Sequence, residues 1–316
     1  MRRRLDIALH KVTCEKADNI LLDALNLYYE VRQVPAEHAE VVFGGEGVDG
    51  RSFPKAVTFF VPVELWWPKL ASFDYCLGFL PSRLPRCFRL PYYVFEARAG
   101  QLIKPPDFAD RVLAEKREFC SLVVSNANPK RTYARLRFFE LLNAKKRVNS
   151  GGLALNNIGR SIGAGAPARL DFVRGHRFHI AFENKRWRGY VTEKLPAAMA
   201  AGALPLYWGC PGISREFNPK SFIDVGRFRS FEEACRYVLA LEGNRDELAN
   251  ILREPWFHDN RPNTAYDVAK LGEWLHWAIS EGKQPPRFLF PGDVIYKRYE
   301  KLRVRLAGQI CKWRMG

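Results

Sequence analysis

Residues 177–223 read RFHIAFENKRWRGYVTEKLPAAMAAGALPLYWGCPGISREFNPKSFI, the pattern of one strand–loop–helix–strand unit. His179 to Phe182 and Ala203 to Trp208 are short apolar runs bounded by polar or turn-forming residues, as strands buried on both faces of a parallel sheet are. Between them one helix is predicted. Thr192 stands as its N-cap, Glu193 and Lys194 fall in its first turn, Ala197 to Ala201 are strong helix formers and Gly202 is a natural stop. Pro196 still lies in the first turn, where its missing N–H costs little. Open α/β sheets take ligands at the carboxyl ends of their strands, and Asn184, Tyr190, Glu193 and Lys194 all fall in this strand-to-helix crossing.

The start of such a helix attracts anions, because its unpaired N–H groups and the positive end of its dipole point outward. Lys194 adds a full positive charge, so the expected ligand carries phosphate. Taken alone, Glu193 and Lys194 read equally well as surface residues of a first turn. The rest of the chain has to decide between the two.

A length of 316 residues exceeds what one hydrophobic core usually serves, so two domains are expected, and an apolar share of 47% suffices for both. The alternation along the chain is Rossmann-like: strands at Leu5–Leu9, Ala39–Phe43, Ala56–Val63 and Phe119–Val124, with a helix over Asn19–Val31 and Arg135 on the helix after residue 124. KPPDFADR at 104–111 marks a domain boundary. GGEGVDG at 44–50 lacks the spacing of a phosphate loop and reads as a turn, while NSGG at 149–152 and GAGAPA at 163–168 read as flexible connections. The domains expected are 1–112, 113–287 and a tail from 288 to 316.

Seven cysteines, at 14, 76, 87, 120, 210, 235 and 311, form no CxxC pair and no even framework, which fits free thiols in a reducing compartment. MRRRLDIALH is basic without the apolar core of a signal peptide, and no run has the roughly 18 apolar residues of a spanning helix. A cytoplasmic chain is expected. A net charge of +16 asks for an acidic partner: nucleic acid, an anionic membrane, or a phosphorylated substrate. From Ile295, apolar residues recur every three or four positions (Tyr299, Leu302, Leu306, Ile310, Trp313), with lysines and arginines filling the other face. That is the composition of a peripheral membrane anchor over 295–314, or of a helix packed on the protein body with a solvated basic face.

FEN at 182–184, the tyrosine of YVTEK at 190–194, AxxAGALPLYWG and FNPKSFI together resemble the donor-binding signature of the α-1,3-fucosyltransferases, glycosyltransferase family 10, particularly the bacterial members. FCSLVVSNANPKRTYARLRFFELLNA, VNSGG and NNIG resemble the preceding block, so the likeness covers roughly residues 115 to 257, with weaker echoes in EVVFG, FDYCLGF and RLPYY. The resemblance implies an α/β fold of the GT-B glycosyltransferase type, two Rossmann-like domains with the active site in the cleft between them. It implies transfer of L-fucose from GDP-β-L-fucose, with inversion, to a hydroxyl of a surface glycan such as lipopolysaccharide O-antigen, the 3-OH of N-acetylglucosamine. Oligosaccharide or lipid-linked glycans would be the acceptors.

Carried over position by position, the resemblance assigns Arg135, Tyr190 and Lys194 to the donor diphosphate, Asn184 to ribose or nucleotide oxygens, and Glu193 to the fucose ring, as donor contact and catalytic partner. Arg131 competes with Arg135 within RTYARLR, and Lys185 departs from the Ser or Thr usual after FEN. Glu64, four residues before Pro68 and nine before the FDY motif, matches the position of the base, with Glu96 as rival; Leu65, Trp66 and Trp67 would desolvate Glu64 and offer a surface to a sugar face. No bound metal and no cofactor are expected, because lysine and arginine meet the charge of the leaving diphosphate; Mn²⁺ or Mg²⁺ would act only as stimulants, with no DxD-type carboxylate pair to hold them. The chain would sit on the inner face of the cytoplasmic membrane and bind no nucleic acid. Two other classes fit the charge: a non-catalytic, membrane-associated glycan-binding protein and a nucleic-acid-binding protein.

Overall fold

The computed structural model describes residues 2–12, 19–80, 84, 86–125, 129–160, 162 and 165–287. The expected tail helix at 295–314 lies outside them. The chain forms two compact units, one of residues 2–95 with 265–287 and one of Glu96–Thr264.

In the first unit, strands β1 (Arg3–His10), β2 (Tyr29–Gln33), β3 (Val41–Gly44), β4 (Val57–Phe60), β5 (Tyr75–Gly78) and β6 (Cys87–Arg89) form a sheet in the order β2-β1-β3-β4-β5-β6. All its pairs are parallel. The register puts Phe43 beside Phe59 and Phe59 beside Tyr75, so their rings stack 4.9 and 5.2 Å apart along one face. Trp274 closes that face edge-on, 5.8 Å from Tyr75.

Helix α1 (Ile20–Leu25) differs from the expected helix over residues 19–31. Asn19 caps it by accepting the N–H groups of Leu21 and Leu22 at 2.9 and 3.1 Å, and it stops at Asn26. Tyr29–Gln33 pairs with β1 instead, because strand-prone Tyr29 and Val31 gain a sheet partner there that no helix offers.

The second unit carries β7 (Glu118–Leu122), β8 (Val148–Ser150), β9 (His176–Phe182), β10 (Leu204–Trp208) and β11 (Ile223–Asp224), parallel throughout in the order β11-β10-β9-β7-β8. After the short turn α2 (Tyr93–Glu96), its helices are α3 (Phe108–Glu115), α4 (Pro129–Asn143), α5 (Gly165–Arg174), α6 (Lys194–Ala200), α7 (Phe231–Gly243) and α8 (Arg245–Arg253). Two expected connections are partly regular: Asn149 and Ser150 belong to β8, and Gly165 opens α5. Gly152 follows β8 so closely that a Cβ there would stand 2.1 Å from the Val124 carbonyl oxygen.

The division differs from the expected 112/113 boundary. KPPDFADR is no linker: Lys104 is buried, its amine donating to the carbonyls of Leu252 (2.8 Å) and Glu254 (2.5 Å) over the Trp256 ring, and Phe108 opens α3. At the other end the chain returns to the first unit at Ala265. There α9 (Val268–Glu281) packs on α1, with Leu271, Leu275 and Ala278 buried and Gly272 so near that a Cβ would lie 2.7 Å from Ala24 O.

Candidate active site

In the second sheet the chain runs from β7 outward to β8, then crosses back to place β9 on the other side of β7. That reversal puts a switch point at the carboxyl ends of β7 and β9, the place where doubly wound sheets take ligands. Arg135, on the helix that follows β7, is buried and donates from Nη2 to Phe182 O at 2.6 Å and to Asn184 Oδ1 at 2.9 Å. It thereby ties α4 to the end of β9 and orients the Asn184 amide. Phe138, a turn later, packs 4.9 Å from Phe182 and fixes the same approach. Arg131 shares the helix, but its side chain lies outside the described residues.

The crossing that follows β9 is organised by Glu183, which the sequence reading did not single out. Its carboxylate is buried and accepts the Thr192 N–H at 2.7 Å and the Thr192 hydroxyl at 2.6 Å. Gly209 lies against it, since a Cβ there would stand 2.5 Å from Glu183 Cγ. Burial raises the Glu183 pKa above its ordinary value, with the Lys194 charge opposing. The available signal was a carboxylate closing an otherwise apolar run, because an acid is rarely left buried without partners.

Thr192 is therefore no helix cap: its side chain is spent on Glu183, and α6 begins at Lys194 with Glu193 as the capping position and no side-chain cap bond. The helix has only seven residues, so the charge at this end comes from side chains more than from a helix dipole. Gly202, at φ +69°, ends it as expected.

Lys194 is only 22% exposed and donates to Thr192 Oγ1 at 2.9 Å and Glu193 Oε1 at 3.1 Å, with Glu183 Oε2 at 3.6 Å. Burial works to lower its pKa, but the charges of Glu193 and Glu183 outweigh burial and raise it. For Glu193, burial works upward and is outweighed by Lys194 and then Arg169, so its pKa falls below the ordinary 4.5. The two ions hold each other charged. The expected positive charge at the helix mouth is a lysine held between two carboxylates, Glu193 as well as Glu183, beside the buried Arg135. Tyr190 is fully buried in the same crossing, with its N–H on Trp187 O at 3.2 Å.

The structure thus brings together Arg135, Asn184, Tyr190, Glu193 and Lys194, all in the second unit. Glu64 belongs to the first unit, in the loop after β4, and its N–H donates to Glu46 Oε1 at 2.7 Å. It is exposed and Trp66 is 42% exposed, so the neighbouring aromatic residues do not take Glu64 out of water as expected. Its rival Glu96 pairs with Arg169 at 3.2 Å.

Two α/β units of parallel sheet, one with a cationic and hydrogen-bonding cluster at its switch point, have the architecture of the GT-B fold. The model of glycosyltransferase family 10 (fucosyltransferase), C-terminal part, matches residues 113–271, half of the chain, and the chain belongs to that family. It is 29% identical over 277 residues to the Helicobacter pylori α-(1,3)-fucosyltransferase FucT, covering 76% of this chain and 56% of that protein. To the human 4-galactosyl-N-acetylglucosaminide 3-α-L-fucosyltransferase FUT6 it is 29% identical over 178 residues, 55% of this chain and 45% of that one. The chain thus spans about half the length of the curated relatives it matches. A crystal structure of an α1,3-fucosyltransferase with GDP-fucose superposes with a TM-score of 0.71 at 24% identity, over 92% of this chain and 94% of the other, and so shares its fold.

Proposed function

We propose that this chain transfers L-fucose from GDP-β-L-fucose, with inversion, to the 3-OH of N-acetylglucosamine in a surface glycan such as lipopolysaccharide O-antigen. The observation that carries the reading is the joining of Arg135, Asn184, Glu193 and Lys194 at the end of β9 in a chain of this family. Relatives named for α-1,3-fucosyl transfer, and for transfer to galactosylated N-acetylglucosamine, support the donor and acceptor classes.

The chemistry follows from charge. As the anomeric bond lengthens, the leaving diphosphate gains negative charge and the sugar gains positive charge. Arg135 presents a planar fork of donors to phosphate oxygens, and Lys194 a point charge. Tyr190, which the resemblance assigns to the diphosphate, is fully buried and so backs the crossing, meeting a phosphate only if the crossing opens. Glu193, kept ionised by Lys194, faces the sugar and stabilises the cationic carbon. Glu64 takes the proton of the acceptor hydroxyl as it attacks the opposite face. With the leaving charge met by side chains, activity needs no resident metal, and Mn²⁺ or Mg²⁺ only stimulates. The basic stretch at 295–314 holds the chain on the inner, anionic face of the cytoplasmic membrane, near lipid-linked acceptors.

The test is transfer from GDP-fucose to N-acetyllactosamine, with and without chelator, by wild type and Lys194→Ala. Wild type should turn over in both conditions, and Lys194→Ala should lose about 2–4 kcal/mol of transition-state stabilisation. Near-normal turnover by the variant would remove Lys194 from its role.

A further inference from the structure

The GGEGVDG turn sits at the switch point of the first sheet, since the chain runs from β1 to β2 and then returns to β3 on the other side of β1. Its backbone is locked there. Gly45 N–H donates to His10 O at 3.0 Å, and a Cβ on Gly45 would stand 1.8 Å from Lys11 O, so no other residue fits without moving β1. Gly44 O in turn accepts the Val61 N–H at 2.9 Å, joining the turn to the segment that leaves β4.

The two acids of the turn are used differently. Asp49 serves its own neighbourhood, pairing with Arg51 at 2.7 Å and accepting the Arg51 N–H. Glu46 reaches across to the next loop, where Oε1 accepts the backbone N–H of Glu64 at 2.7 Å. A carboxylate accepting a backbone N–H makes a charge-assisted bond, roughly twice as strong as a neutral one. Glu64 stands in an exposed loop with no strand or helix of its own to fix it. A side chain that helps to hold its backbone therefore limits where its carboxylate can reach.

We propose that Glu46 is a positioning residue for the acceptor-activating carboxylate: anchored on the locked glycine turn, it holds the backbone of Glu64 so that Glu64 meets the acceptor hydroxyl. The proposal rests on the assignment of Glu64 as the base. It gives the glycine-rich turn a task in transfer that its spacing does not reveal.

The decisive experiment is a mutant cycle in the full chain, read by kcat for transfer, donor affinity by calorimetry with GDP, and amide hydrogen exchange over residues 61–68. Glu46→Ala should lower kcat on the order of tenfold, as the loss of one charge-assisted hydrogen bond does, without changing GDP affinity. Glu46→Gln should restore most of the rate, because its amide oxygen can accept the same N–H. In the Glu64→Gln background, Glu46→Ala should cost nothing further, since Glu46 acts only through Glu64. Exchange at 61–68 should speed up in Glu46→Ala and return to normal in Glu46→Gln.

A loss of rate that adds in full to that of Glu64→Gln, or one that Glu46→Gln fails to rescue, would overturn the proposal. If wild type transfers no fucose, the proposed function fails. The exchange measurement still judges the tether in that case, and unchanged protection at 61–68 in Glu46→Ala would reject it.

Discussion

At the residue scale, the cluster at the end of β9 works through mutual ionisation. Lys194 lies between Glu183 and Glu193, so each carboxylate helps to keep the lysine charged and the lysine keeps Glu193 ionised. Because the Glu193 pKa is lowered by folding, the stability it contributes is present above its unfolded value of 4.5 and is lost as pH falls through the lower folded value. The part of the acid limb of kcat/KM that Glu193 sets should accordingly lie below pH 4.5 in wild type. Lys194→Met, assayed at whatever residual rate it keeps, should move that limb upward, since the strongest opposing charge is gone. An unmoved limb would mean that another group sets it. Asn184, Glu193 and Lys194 were readable from FEN and YVTEK because local motifs place them. Glu183 was not, because its importance lies in burial and in a bond to Thr192 nine residues away.

At the scale of elements, two buried lysines hold helix ends. Lys116 donates to Arg174 O at the end of α5 and to Ala201 O just past α6, while Lys104 donates to Leu252 O and Glu254 O at the end of α8. Cations at helix C-termini satisfy carbonyls that have no partner within the helix. Burial nevertheless pushes the Lys104 amine down to about 7 and that of Lys116 down to about 8, from 10.5. Between the folded and unfolded values the unfolded chain binds more protons, so stability rises with pH from about 7 toward 10.5. The melting temperature should therefore climb between pH 7 and 9, and Lys104→Met should flatten part of that climb. A wild-type profile that falls over this range would show that the bonds to carbonyls and the Trp256 face keep both amines protonated. Strands β1, β3, β4, β7, β9 and β10 were legible in the apolar runs, whereas the shorter β5, β6, β8 and β11 were not. The short α1 and the pairing of Tyr29–Gln33 with β1 were not, because the alternative to a longer helix is a sheet edge that exists only once β1 is in place.

At the scale of the whole molecule, chain order and unit membership part company. Helix α9 comes after the entire second unit yet covers α1, and Trp274 closes the aromatic face of the first sheet. Deleting residues 265–316 should therefore unprotect β3, β4 and β5 in hydrogen exchange while β7, β9 and β10 keep their protection. Equal protection in both sheets would mean that α9 is dispensable. A second truncation, after Val294, should leave GDP-fucose affinity intact and abolish co-sedimentation with anionic vesicles. Retained vesicle binding would eliminate the 295–314 anchor.

The sequence by itself determined the α/β alternation, the β9–α6–β10 crossover and the family to which the chain belongs, because these rest on apolar runs and on residues only a few positions apart. Tertiary structure alone decided that Arg135 meets Asn184 across 49 positions, that Glu183 anchors the crossing, and that α9 belongs to the first unit. Each of these depends on which surfaces burial leaves facing one another, and a linear pattern carries no record of partners that distant.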